Sequence, residues 1–233
     1  MAFVLIAVAA SFAVSASAGF GGSLILVPAL ALVLGTKEGI ALAALLLAGN
    51  NLVKVWAYRE TVPFKKSAGV VILVAIGTAI GAFALVVAPE KLVTVAVLAS
   101  FVLAFVNERL GSIQSRFASV PVLALASGAT SGFSGTSGPL KGLAVRGLNL
   151  DRRHLVGALS LVSLVGDATK TAIWTEASLI PARGYLLALA TVPLMIAATY
   201  LGRRLNRTIG ERGYAGLFWT VMVGYTMRLA ASF

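Results

Sequence analysis

Ser131-Gly132-Phe133-Ser134-Gly135-Thr136-Ser137-Gly138-Pro139 interrupts an otherwise apolar stretch in the middle of the chain. Three glycines and a proline in nine residues cannot continue a straight helix, because glycine loses the most backbone freedom and proline lacks the N–H that the ladder needs. A second break stands near the beginning, at Gly19-Phe20-Gly21-Gly22-Ser23, followed by Pro28. Around these breaks the uncharged stretches fall into eight units, 1–34, 39–58, 67–88, 91–106, 117–150, 154–175, 181–202 and 211–230. The first and the fifth are the broken ones.

The composition says what solvent these units face. Of 233 residues, 59% are apolar and only 12% charged, against about 25% charged in a soluble domain. With roughly 20 apolar residues needed per helical span, the chain is a single all-α polytopic membrane domain with no room for a soluble one. Nucleic acid is excluded as a partner, and the partners expected are the lipid bilayer and a small molecule. The net charge of +11 is then a topology signal rather than a binding surface. Residues 1–18 end in Ala16-Ser17-Ala18, which has the small residues of a signal-peptide cleavage site, but no Lys or Arg occurs before Lys37 and retention is expected.

Laid over the first half, the second half repeats it. Gly19-Phe20-Gly21-Gly22 matches Gly132-Phe133-Ser134-Gly135 at an offset of 113; Asn51 and Lys54 match Asp167 and Lys170 at 116, with Tyr58 meeting Trp174. Pro63 matches Pro181 at 118, and Gly81 and Glu90 match Gly202 and Glu211 at 121. The repeats are taken as 1–108 and 113–233.

The positive-inside rule decides how the broken units sit. If they are re-entrant hairpins, Arg59, Lys65, Lys66, Arg109, Arg116, Lys141, Arg146, Arg152, Arg153, Arg203, Arg204, Arg207 and Arg212 share one side, leaving Lys37, Lys91, Arg183 and Arg228 on the other, a 13 to 4 division. If all eight units cross, the division is 10 to 7. The expected architecture is therefore two inverted repeats, each a broken re-entrant helical hairpin plus three transmembrane helices. Both termini are extracytoplasmic in this arrangement, in a bacterial-type cytoplasmic membrane.

Discontinuous helices in inverted repeats commonly meet at a substrate site near the midplane. Backbone freed by a break costs several kcal/mol in lipid unless protein, water or ligand satisfies it. At Gly21-Gly22-Ser23 and at Ser134-Gly135-Thr136-Ser137, a helix start would offer free N–H groups, a positive dipole end and hydroxyls, which suits a small anion. The alternative is that the glycines only let helices pack. Lys54 and Lys170 are intramembrane cations on equivalent turns, functional candidates by default. Lys54 could instead snorkel, and Lys170 could pair with Asp167, itself a pairing or proton-linked group. Asn50 and Asn51 add hydrogen-bonding capacity. His154, after Asp151-Arg152-Arg153, reads as interfacial, and Trp56, Trp174 and Trp219 as interface anchors. Without cysteine, without a cluster of His, Asp and Glu, and without a nucleophile beside a base, the chain is expected to carry no metal, no cofactor and no enzymatic reaction.

The segment from Gly19 to Ser23 with Pro28, and the segment from Ser131 to Pro139, resemble the two signature segments of the TauE/SafE, or sulfite exporter, family, and the likeness covers essentially the whole chain. The resemblance implies a transporter or exporter of sulfite, sulfoacetate or other organosulfonates. One departure is Ser23, where family members often continue with glycine. Two rivals come from other classes. Intramembrane phosphatases of lipid pyrophosphates also use inverted repeats with re-entrant hairpins and a Gly-Thr-Ser segment, but their chemistry needs acidic groups and an arginine beside the phosphate. An anion channel would want rings of carbonyls or charges.

Overall fold

The computed structural model describes residues 2–18, 22–110, 119–136 and 138–205. The eighth stretch with Glu211 and Trp219, the glycine-cluster residues Gly19, Phe20 and Gly21, and Arg116 and Ser137 lie outside these residues. What is described is all-helical. It comprises α1 (Ala2–Ala18), α2 (Gly22–Leu34), α3 (Thr36–Ala57), α4 (Phe64–Val87), α5 (Glu90–Leu110), α6 (Val120–Ser134), α7 (Gly138–Arg146), α8 (Arg152–Glu176), α9 (Ala182–Ala190) and α10 (Val192–Leu205), with a 3₁₀ turn at Arg59–Thr61.

At the two glycine clusters, described helices end at Ala18 and Ser134 and begin again at Gly22 and Gly138. The helices flanking them have 17, 13, 15 and 9 residues. At 1.5 Å per residue these are roughly 14–26 Å long, each short of the ~30 Å hydrocarbon core. By length and hydropathy, α3, α4 and the His154–Glu176 part of α8 can cross a membrane. A fourth span is available if α9 and α10 count as one, although they meet at 45°. That bend departs from the expected single helix over 181–202. Pro193 is its cause: it offers no N–H to the preceding turn and its ring crowds the carbonyl four residues back. The outward side of α4, through Ile72, Ile76, Ile80, Phe83 and Val87, is exposed and apolar, as a lipid-facing surface is.

Glycine draws α4 and α6 together in the most extensive contact of the fold. Gly77 and Gly81 of α4 face the Leu125 and Ala129 carbonyls, while Gly128 and Gly132 of α6 face the Val74 and Thr78 carbonyls, so closely that a Cβ at any of the four would overlap backbone. Gly132, at the heart of the second signature segment, is thus a packing glycine, the small-residue role that the sequence left open.

A spacing of 116 residues recurs among the described helices. It relates the starts of α2 and α7 (Gly22, Gly138) and of α3 and α8 (Thr36, Arg152). It therefore pairs Gly22 with Gly138 rather than with Gly135, the partner that the sequence match at 113 chose. Packing is reciprocal in the same register: α4 lies on α6 and α8, α10 on α1 and α3, α2 on α3, α7 on α8, and α3 and α8 on each other.

Candidate functional site

The contact between α3 and α8 is polar at its centre. Asn51 Nδ2 donates to Asp167 Oδ2 at 2.7 Å, joining the two helices at residues 116 apart in sequence. One turn further along each helix stands a lysine bonded back to that pair. Lys54 Nζ donates to Asn51 Oδ1 at 3.1 Å, and Lys170 Nζ meets Asp167 Oδ1 at 2.8 Å. Each lysine also reaches a serine 39 residues earlier, Lys54 to Ser15 on α1 and Lys170 to Ser131 on α6, both at 3.0 Å. The sequence brought out the lysines as equivalents but missed both serines, whose signal is the same offset of 116.

The chain of bonds runs lysine, asparagine, aspartate, lysine, and its two ends differ in the partner that each lysine contacts. An asparagine can accept from an ammonium and donate to a carboxylate at once, which fixes the amide's orientation between Lys54 and Asp167. Lys170 has a carboxylate in contact, whereas the Lys54 contacts just named are to neutral oxygens. All four side chains are buried. Such groups are tolerated in a membrane interior only when satisfied by one another or by a polar cavity.

Both exist here. A cavity of ≈ 20 Å³, measured for the centre of a water and so large enough for about one, lies against this network. Its wall is Ser15, Gly22, Ser23, Leu47, Asn51, Ser131, Gly135, Lys141, Ser163, Asp167 and Lys170. Leu47 is the one large apolar side chain in it. Both broken hairpins contribute, through Gly22 and Ser23 at the start of α2 and through Gly135 and Lys141 around the second break.

Half of the candidate residues are thereby brought together: Gly22, Ser23, Asn51, Gly135, Asp167 and Lys170. Lys54 stands directly behind the wall, bonded to two of its members. Others do something else. Asn50 is fully buried but does not line the cavity, and its amide makes no hydrogen bond among the described residues. Ser134 Oγ bonds the Thr130 and Thr136 carbonyls, and the Thr136 hydroxyl bonds Ser100 of α5 at 2.9 Å. Gly21 and Ser137 lie outside the described residues.

Gly135 has a different role from the one expected. It does not open a helix; it closes α6 in the left-handed conformation (φ 76°), and its N–H is bonded to the Ser131 carbonyl at 2.9 Å. That is the usual glycine helix stop. The group it offers the site is its carbonyl, which accepts from Lys170 at 3.2 Å. The helix that begins after the break starts at Gly138.

Lys141 is the residue that sequence reasoning misplaced. Counted among loop cations, it sits one turn into α7, lines the cavity and donates to Ser163 of α8 at 3.0 Å. The position 116 residues earlier is Ile25, so the repeat gave no hint of it. Trp174 is a second correction: it is fully buried, its indole N–H bonds the Ala82 carbonyl at 3.2 Å, and its ring lies 6.0 Å from the Lys170 ammonium. A buried indole needs such a partner, and this one satisfies it inside the protein rather than at the membrane interface. Trp56 does keep an outward position, 67% exposed, with Arg59 over its ring. His154 is exposed and bonded to Asp151, which caps α8. Among the described residues there is no group of three His, Asp or Glu side chains placed to hold a metal.

The cavity is thus walled by serines, Lys141 and Lys170, with residues from both sides of the chain's two glycine clusters. The sulfite exporter TauE/SafE family model matches residues 3–229, nearly the whole chain. The chain belongs to the TauE/SafE family. It is accordingly an integral membrane protein of a transporter family associated with sulfite export. No curated protein and no solved structure matches it. Within this TauE/SafE protein, the conspicuous second signature segment serves three purposes at once: Gly132 packs on α4, Gly135 ends α6, and Gly138 begins α7.

Proposed function

We propose that this protein carries small sulfur-containing anions, sulfite or an organosulfonate such as sulfoacetate, outward across a bacterial-type cytoplasmic membrane, and that the anion is held in the cavity between the two broken hairpins. The observation that carries the reading is the composition of the α3–α8 contact. Lys54 and Lys170 of these helices, joined by Lys141 of α7, stand around Asp167 beside a cavity rich in hydroxyls. An anion entering low dielectric loses hydration worth several kcal/mol, and facing ammonium groups compensate it.

The reading includes two inverted repeats related by a two-fold axis in the membrane plane, with both termini extracytoplasmic. Its support is the recurring 116-residue spacing, the reciprocal packing and the lopsided distribution of basic residues, which stays at 12 to 4 when Lys141 is moved from the loop count of 13 into the site. The cavity seats about one water, so the anion enters as the hairpins separate on one side, the rocking expected of inverted-repeat transporters. An inside-negative potential drives an anion outward by about 2.3 kcal/mol per charge per 100 mV without further coupling.

Efflux of radiolabelled sulfite and sulfoacetate from proteoliposomes tests the proposal. Purified protein should release label faster than protein-free vesicles, and unlabelled sulfite should compete. Release of phosphate from a lipid pyrophosphate, with no sulfite flux, would replace this reading with the phosphatase.

A further inference from the structure

We infer that Lys141 sets the charge of the anion that the site prefers, selecting doubly charged oxyanions over singly charged ones of similar shape. The inference rests on the cavity being an anion site. Lys170 spends all three ammonium donors on Asp167, Ser131 and the Gly135 carbonyl. Lys54 lies behind the wall, its ammonium on Ser15 and Asn51. Lys141 lines the cavity itself. Among the described residues it has one hydrogen bond, to Ser163, and no carboxylate within ion-pair distance, so two of its three donors are left for a ligand.

The charge count gives these donors their consequence. Asn51 occupies the place equivalent to Asp167, so the network holds one carboxylate rather than two. Lys141 adds a positive charge to the cavity wall itself, and a doubly charged ligand gains more from that charge than a singly charged one. The first broken helix provides no substitute, since Ile25 stands at the matching position and is fully buried. Lys141 is thus an asymmetry added to one half of a symmetric frame, and charge selection is the property that it can change while the frame stays intact.

Titration of the purified protein with sulfate and with methyl sulfate, which share the sulfur oxyanion head and differ in charge, tests this. The attraction between one fixed charge and a ligand scales with the ligand's charge. If Lys141→Met weakens methyl sulfate about tenfold, sulfate should weaken about a hundredfold, and the preference for sulfate should fall about tenfold. Lys141→Gln, which keeps a donor for Ser163, should show the same loss of preference, and Lys141→Arg should retain the wild-type preference. An equal change for the two anions, or none, in both neutral variants would overturn the inference while leaving the anion site standing. Failure of wild-type protein to bind either anion would instead overturn the anion site itself.

Discussion

Removing Lys170 should damage the protein in a way that a second substitution repairs. Lys170→Met deletes an ammonium that contacts Asp167 at 2.8 Å, Ser131 at 3.0 Å and the Gly135 carbonyl at 3.2 Å, all inside the core. The Asp167 side chain is only 7% exposed and keeps, among the described residues, the hydrogen bond from Asn51 at 2.7 Å. Breaking a buried pair from one side costs about 3–5 kcal/mol, a large part of a typical stability of about 5–15 kcal/mol. Neutralising the stranded group should return roughly half of it, because an Asn at 167 still accepts from Asn51, leaving about 1–3 kcal/mol for an unmet amide donor. The assay is yield, monodispersity and thermal unfolding midpoint in detergent for Lys170→Met, Asp167→Asn with Lys170→Met, and wild type. The single variant should express poorly and melt early. The double variant should recover expression and roughly half of the lost midpoint yet show no sulfite flux. A single variant as stable as wild type, or a double variant no better than the single, would refute the reasoning that a buried charge is being compensated.

Three other outcomes follow from named contacts. Gly135→Val should abolish transport while the protein still inserts, since φ of 76° costs a residue with a Cβ about 1–2 kcal/mol and the new side chain would crowd Ile40 and Val27, moving the carbonyl off Lys170; unchanged flux would return Gly135 to a purely structural role. Gly132→Ala should act on stability, lowering the unfolding midpoint by forcing α6 away from α4, and an unaltered midpoint would show that the close crossing is not required. Single cysteines introduced into this cysteine-free chain at 109 and 204 should be shielded from impermeant reagents in intact cells, and a reporter fused after Phe233 should be active outside; a fusion active only in the cytoplasm would refute the inverted topology.

Much of this was legible in the sequence because it rests on covalent limits. Clustered Gly with Pro disfavours a continuous helix, whereas Pro28 and single glycines sit inside helices, so the breaks after Ala18 and Ser134 were readable, and uncharged length gave the spans on either side. Equivalence of Lys54 with Lys170 and of Asn51 with Asp167 was readable from spacing. That the last two bond each other was not, since an offset says nothing about which faces meet. Lys141 was hidden because a lysine near other basic residues looks like a loop cation, and only the seating of α7 against α8 brings it to the cavity. Trp174 was misread because tryptophan in a membrane chain defaults to the interface, and its buried carbonyl partner lies 92 residues away. The bend between α9 and α10 did have a signal in Pro193, masked by taking 181–202 as one uninterrupted stretch.

The central claim is that the lysine-bearing α3–α8 contact holds the anion. Lys54→Met tests it most directly, because Lys54 bonds Ser15 and Asn51, two members of the cavity wall. The measurement is calorimetric titration of sulfite into folded wild type and folded Lys54→Met. Binding should be at least tenfold weaker in the variant, about 1.4 kcal/mol. Wild-type affinity in Lys54→Met would contradict it and leave the anion to backbone dipoles and hydroxyls alone.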